Sequence, residues 1–150
     1  IKIVIHPQSI IHSMIEFQDG SIKAQLSEPD MRSPIQYALS FPERYHLKDL
    51  NFNIEKINNL TFENVDIEKF KCIKFAKHAI QEGGTMPTVL NVANDIFVGL
   101  FLKEKISFND IIVGIEKTMH SHDRIDHPDL DQINMTTKWT ENFIKRNFIK

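Results

Sequence analysis

Three stretches of this 150-residue chain concentrate side chains that can do chemistry. The first is His6-Pro7-Gln8-Ser9-Ile10-Ile11-His12-Ser13. Its hydroxyls and imidazole N–H groups are suitable donors to the oxygens of an anionic substrate such as a phosphate ester. The competing interpretation is a turn whose polar groups satisfy exposed backbone. The second is Glu28-Pro29-Asp30-Met31-Arg32-Ser33-Pro34. A methionine between two prolines can pack on a planar ring such as a nicotinamide, because its thioether is polarizable and adaptable. Spacing alone favours the plainer alternative, a helix-entry loop with Met31 as core filler. The third is His120-Ser121-His122-Asp123-Arg124-Ile125-Asp126-His127, whose imidazoles and carboxylates suit zinc or manganese. Against a metal site, His120 and His122 are two apart and diverge on a helix. Arg124 brings a positive charge, and polar loops are expected between helices.

Other chemistries find little support. The lone Cys72 lies between Lys71 and Ile73. Nearby lysines would lower its pKa, but a small buried hydrophobe is the expected role. A Gly-rich phosphate loop, a cysteine pair and a Gly-x-Ser-x-Gly elbow are all missing from the sequence. Gly83-Gly84 follows a helical pattern rather than a strand and acts as a stop signal.

Two regimes of pattern must position these residues. Residues 1–45 have strand character, with a short helix at their end. Ile1 to Ile5 is rich in β-branched residues and stops before Pro7. Ile10–Phe17 and Ile22–Leu26 are β-rich runs joined through Asp19-Gly20, which predicts a hairpin with a type I′ turn. Alternation puts Ile10, His12, Met14 and Glu16 on one face and Ile11, Ser13, Ile15 and Phe17 on the other. By content the second is the core face, which leaves His12 free to function. Ser33-Pro34 opens a short helix as N-cap and first helical residue, carries Ile35, Ala38 and Leu39, and ends at Phe41-Pro42.

Residues 46–66 lack a clear period and carry apolar anchors such as Leu50, Phe52, Ile57 and Phe62 with little Gly, Ser or Pro. That composition predicts an extended connection pinned along a surface. Residues 67–150 are helical. Asp66 caps a helix with Phe70, Ile73, Ala76 and Ile80 at helical spacing, ended by Gly83-Gly84. A second helix starts at Thr85-Met86-Pro87 and carries Leu90, Ala93, Phe97, Leu100 and Phe101. A third follows a capping box of Ser107 and Asp110, with Ile111, Ile112 and Ile115. The fourth runs from Asp129 to Phe148 with Ile133, Trp139, Phe143 and Ile144. The expected class is α+β: strands and a hairpin, an extended linker, then a C-terminal four-helix bundle.

Composition fits a soluble globular protein, with 41% hydrophobic and 25% charged residues. The net charge of −2 is spread along the chain without a basic stripe, so no nucleic-acid partner is implied. No apolar run approaches the roughly 20 residues that span a bilayer. One cysteine excludes an internal disulfide framework and fits a reducing compartment. The chain opens on a β-branched run without an initiating Met, so residue 1 is expected to be a truncation or processing point.

Three longer stretches carry a resemblance. They are "IHPQSIIHSMIEFQDGSIKAQLSEPDMRSPIQYAL", "LTFENVDIEKFKCIKFAKHAI" and "GGTMPTVLNVANDIFVGLFL". Over about residues 1–118 the chain resembles the C-terminal part of the 1-deoxy-D-xylulose 5-phosphate reductoisomerase family; the last thirty residues match only in being helical. The resemblance implies an NADPH-dependent oxidoreductase that uses a divalent metal, Mg or Mn. It would turn 1-deoxy-D-xylulose 5-phosphate, a sugar phosphate, into 2-C-methyl-D-erythritol 4-phosphate for isoprenoid synthesis. It further implies a homodimer, with a bacterial cytoplasm as the first expectation for compartment and a plastid-type organelle as the second. Residues 1–45 would then end a catalytic domain, 46–66 would be the linker, and 67–150 the C-terminal bundle.

Carried over by position, Ser9 and His12 match places at the substrate pocket, and Pro29 and Met31 match a loop near the nicotinamide. His6 matches a structural position. Asp95 stands where the family usually has glutamate. The dinucleotide-binding domain, the metal ligands and the phosphate-gripping residues have no counterpart here, so these residues alone are expected to be inactive, with no metal ligand among them. An alternative of another class is a non-catalytic helical interaction or dimerisation module. A third is metal binding through His120, His122 and His127.

Overall fold

The computed structural model describes residues 1–50 and 52–149. The chain falls into two compact units, Ile1–Val65 and Asp66–Lys150. The first holds strands β1 (Val4–Ile5), β2 (Ile11–Glu16), β3 (Ile22–Leu26) and β4 (Glu63–Asn64), with helix α1 (Arg32–Ser40) and a 3-10 turn at Ile54–Lys56. The second holds α2 (Lys71–Glu82), α3 (Met86–Leu102), α4 (Phe108–His120) and α5 (Leu130–Phe148). The class is therefore α+β with a four-helix bundle.

In the first unit β2 and β3 form an antiparallel hairpin. Its turn departs from the expected type I′. The Gly20 N–H donates back to the Phe17 carbonyl at 3.0 Å, and only Gly20 takes positive φ, at 82°. Asp19 instead accepts from the Ser21 N–H at 2.9 Å and the Ser21 hydroxyl at 2.6 Å, which holds its backbone at ordinary φ. The result is a three-residue loop with glycine in the left-handed position.

β1 pairs with β4, Val4 opposite Asn64 and Ile5 opposite Glu63. The segment beyond α1 is therefore fastened to the beginning of the chain. Gln8 donates to the Thr61 hydroxyl at 2.8 Å and accepts from the Thr61 N–H at 3.2 Å. His6 Nδ1 lies 2.8 Å from the Thr61 carbonyl, and its ring stacks on Phe62 at 4.8 Å.

No described residue of this unit is buried. The expected core face of the hairpin is open, with Ile15 61% and Phe17 49% exposed. Among the described residues nothing packs over this two-stranded sheet, and alternation cannot reveal that.

The core lies in the bundle. α3 packs on the other three helices and buries Met86, Val89, Ala93, Phe97 and Leu100. Ile111, Ile115 and Met119 of α4, Ala79 of α2 and Ile144 of α5 complete it. Gly114 of α4 faces the fully buried Phe97 ring, and Phe97 meets Phe148 edge-on at 5.1 Å. The buried hydroxyls of Thr118, Thr136 and Thr140 donate to carbonyls one turn back at 2.7, 2.8 and 2.9 Å, so they carry no unsatisfied group.

Two caps match the sequence. Ser107 and Asp110 close a capping box through bonds of 2.8 and 2.7 Å, and Asp129 pairs reciprocally with Gln132. Two helix starts do not. Asp66 accepts from the N–H groups of Glu68 and Lys69 and so ties a turn ahead of α2, which begins only at Lys71. α1 begins at Arg32, so Ser33 and Pro34 lie inside its first turn. The inward face of α2 is also displaced. Phe75 packs on the core and Ala79 is buried, whereas Phe70 and Ile80 are exposed.

Candidate functional site

A cleft of about 550 Å³ opens in the first unit beside the head of β2, the end of β3 and the entry to α1. It is lined by Ser9, His12, Pro29 and Met31 together, so a turn, a strand and a loop that are separate in sequence meet at one cleft. Each is placed by local geometry. Ser9 closes a turn through its N–H to the His6 carbonyl at 3.0 Å and holds φ at 49°, a left-handed conformation that favours glycine. Such a residue at a cleft is a strained position supported by its surroundings.

His12 is placed by an irregularity that the alternation did not anticipate. Ile11 faces Leu26 and Ser13 faces Gln25, so two steps along β2 match one along β3 and His12 is the extra residue of a β-bulge. The bulge breaks the strict up-and-down order. His12 and Ser13, expected on opposite faces, both line the cleft with Gln25.

The loop into α1 is fixed by three contacts. The Asp30 N–H donates to the Glu28 carbonyl at 2.8 Å, a tight turn centred on Pro29. The Asp30 carboxylate accepts from the Arg32 N–H at 2.8 Å, which satisfies an early donor of α1. It also grips the Arg32 guanidinium through Nε at 3.0 and 2.9 Å and Nη2 at 2.6 Å. The guanidinium and the backbone N–H hold the Asp30 carboxyl below the usual carboxylate range, and the Arg32 pKa rises in turn. Met31, between them, is 70% exposed and lines the cleft instead of filling a core.

Sequence patterns had not singled out Tyr37 and Arg44, which also line the cleft. The Arg44 guanidinium stacks over the Tyr37 ring at 3.8 Å. Tyr37 lies off the apolar stripe of α1, and Arg44 follows the stop at Phe41-Pro42, so no periodicity could have found either.

The third stretch does not converge. His122 Nε2 lies 2.7 Å from the Thr85 hydroxyl, and its ring is 4.8 Å from Trp139. Thr85 is fully buried, and its hydroxyl oxygen also accepts from the Ile125 N–H at 3.1 Å. Burial lowers the His122 pKa, partly opposed by Asp123. Among the described residues, no group of three or more His, Cys, Asp or Glu side chains can hold a metal ion. Cys72 is exposed in the first turn of α2, not buried as expected; partial burial of its thiol nevertheless raises its pKa. No helix of the described residues is long and apolar enough to cross a membrane.

The DXP reductoisomerase C-terminal domain family model matches residues 26–143. The 1-deoxy-D-xylulose 5-phosphate reductoisomerase of Acetivibrio thermocellus is 50% identical over 145 residues, covering 97% of this chain and 38% of the relative. That of Caldanaerobacter subterraneus subsp. tengcongensis is 48% identical over 151 residues, covering 100% and 40%. The likeness thus runs into the last thirty residues, beyond the expected limit at residue 118.

Among solved structures, the Zymomonas mobilis enzyme in complex with NADPH superposes with a TM-score of 0.84 at 38% identity, over 94% of this chain and 37% of that one. A reductoisomerase in complex with NADPH, fosmidomycin and magnesium gives 0.84 at 35% identity, over 95% and 37%. The chain spans about two fifths of the length of the curated relatives it matches.

Proposed function

The chain belongs to the family of the DXP reductoisomerase C-terminal domain, and from that premise we propose that it is the C-terminal portion of a 1-deoxy-D-xylulose 5-phosphate reductoisomerase. The longer protein would be an NADPH- and divalent-metal-dependent oxidoreductase that yields 2-C-methyl-D-erythritol 4-phosphate. The observation that carries this reading is the single cleft that gathers Ser9, His12, Pro29 and Met31.

Within that cleft the residues divide by chemistry. Ser9 and His12 are hydrogen-bonding groups, suited to orient a hydroxylated, anionic sugar phosphate. Pro29 and Met31 are apolar groups of the same cleft, suited to the planar face of a nicotinamide. The bound dinucleotide would supply the hydride for the reduction. The described residues do not fit a metal centre. The proposal therefore places the magnesium or manganese ion on residues outside this chain and assigns no step to it here.

The open surface of the first unit supports incorporation into a larger domain. Ile15, Phe17 and Ile22 are 61, 49 and 62% exposed on a hairpin whose outer edges are unpaired. Such an edge needs cover, and a homodimer that pairs it is part of the proposal, as is a bacterial cytoplasmic location. His6 Nε2, buried without a partner among the described residues, likewise calls for a group from elsewhere.

The test is consumption of NADPH by the longer protein on addition of the sugar phosphate and magnesium. Activity that falls roughly a hundredfold or more in His12→Ala supports the assigned cleft. A longer protein that consumes no NADPH overturns the reading. It would leave the alternative that the bundle, which has its own core, is a helical interaction module.

A further inference from the structure

The loop that carries Met31 is held far more tightly than its exposure requires. Pro29 fixes one backbone angle, and the Asp30 N–H closes the turn around it at 2.8 Å. The Asp30 carboxylate then bonds one residue beyond Met31, to both the backbone and the guanidinium of Arg32, with contacts of 2.6–3.0 Å. Met31 is thus bracketed by a clamp that bypasses its own side chain.

The clamp is not anchored in a core. No described residue of this unit is buried, and both partners keep contact with solvent, with side-chain exposures of 26% for Asp30 and 60% for Arg32. Exposed ion pairs contribute little to stability. What this one does is geometric: a planar two-toothed contact plus a backbone bond leaves the loop one shape. Methionine has three rotatable bonds, so a fixed backbone beneath it removes much of the disorder that ring binding would otherwise have to freeze.

We propose that Asp30 is a positioning residue: locked to Arg32, it holds the Met31 loop in the shape in which the methionine meets the ring of the reduced nicotinamide cofactor. This inference rests on the reading of Met31 as a nicotinamide contact. The clamp acts on cofactor affinity and leaves the sugar-phosphate wall of Ser9 and His12 alone.

The experiment uses the longer enzyme and compares Met31→Ala, Asp30→Ala, Asp30→Asn and the double variant Asp30→Ala/Met31→Ala. KM for NADPH, KM for the sugar phosphate, kcat and melting temperature are measured for each. Met31→Ala is expected to raise KM for NADPH about tenfold or more. Asp30→Ala is expected to raise it roughly 3- to 10-fold while KM for the sugar phosphate stays within about twofold. Asp30→Asn keeps an acceptor for the Arg32 N–H but loses the charge, so it falls between wild type and Asp30→Ala. Adding Asp30→Ala to Met31→Ala should change KM for NADPH no further, because the clamp works only through the methionine.

A KM for NADPH that moves in Met31→Ala but not in either Asp30 variant overturns the proposal and leaves the cofactor reading standing. So does an Asp30 effect that persists in full in the Met31→Ala background, which marks a structural role. If Met31→Ala itself leaves KM for NADPH unchanged, the nicotinamide reading fails and the proposal falls with it. Should Asp30→Ala not fold, Asp30→Asn decides: a KM within error of wild type overturns the clamp.

Discussion

Replacing Gly114 by alanine should destabilise the bundle, although helix propensity alone predicts a gain. A methyl group at Gly114 would lie 2.6 Å from Cε2 of Phe97 and closer still to Cζ and Cε1. Comfortable carbon contacts lie near 3.5–4.0 Å. Phe97 is 1% exposed and held edge-on against Phe148, so its ring has no free space to enter. Overpacking of this kind costs about 1–3 kcal/mol, opposed by about 1 kcal/mol from replacing a helical glycine. The clash is severe, so the net loss should be near 2 kcal/mol at most, or a melting temperature lower by roughly 8–16 °C for a unit of this size.

Gly99 of α3 supplies the control. Nothing lies within 4 Å of a methyl group there, and Gly99→Ala should raise melting by roughly 4–8 °C. Thermal unfolding of the 150-residue chain, followed by circular dichroism and by the fluorescence of its single tryptophan, Trp139, reads both. Phe97→Leu should recover part of the loss in Gly114→Ala, since it removes the atoms that clash. A Gly114→Ala chain that melts at or above wild type would refute the packing argument.

Three further outcomes can be checked. Burial lowers the His122 pKa, so the unfolded chain binds the proton more readily; stability is fully present above about pH 6.5 and is lost as pH falls from there through the folded value. Urea unfolding against pH should show that loss, and His122→Gln should remove it; a flat profile between pH 7 and 5 would contradict it. Ser9→Gly keeps the left-handed turn but removes the hydroxyl, so in the longer enzyme KM for the sugar phosphate should rise roughly tenfold with melting little changed, whereas an unchanged KM removes Ser9 from the substrate wall. Cys72, exposed but with its thiol pKa raised by partial burial, should react with iodoacetamide more slowly than a free thiol at neutral pH; faster reaction would mean that its lysine neighbours dominate.

How much was legible in the sequence depended on whether the signal was local. The capping box at Ser107 is written within four residues and appears as bonds, and the helix start read at Asp129 is capped there. The apolar spacing of α3 is strong enough that Ala93, Phe97 and Leu100 were identifiable as core. The cleft was legible only through resemblance, because Ser9 and Met31 are brought together by the hairpin and not by spacing. The bulge at His12 left no mark, since one extra residue in a strand looks like any other. Phe70 and Ile80 misled for another reason: Phe70 precedes α2, and Ile80 lies at one margin of a wide apolar face whose Phe75 and Ala79 side packs on the core. The open face of Ile15 and Phe17 is a property of what does not pack on it, which no local pattern encodes.

The pairing of β1 with β4 has a consequence for the order of events during synthesis. Val4 pairs with Asn64, so this pairing cannot form until about sixty further residues have left the ribosome. At ordinary elongation rates the intervening sixty or so residues take roughly 3–12 s to appear. Through that interval the pairing of β1 with β4 stays open, while the hairpin that follows can close within microseconds of leaving the tunnel. Within this unit the local pairing of β2 with β3 therefore precedes the distant pairing of β1 with β4 by seconds.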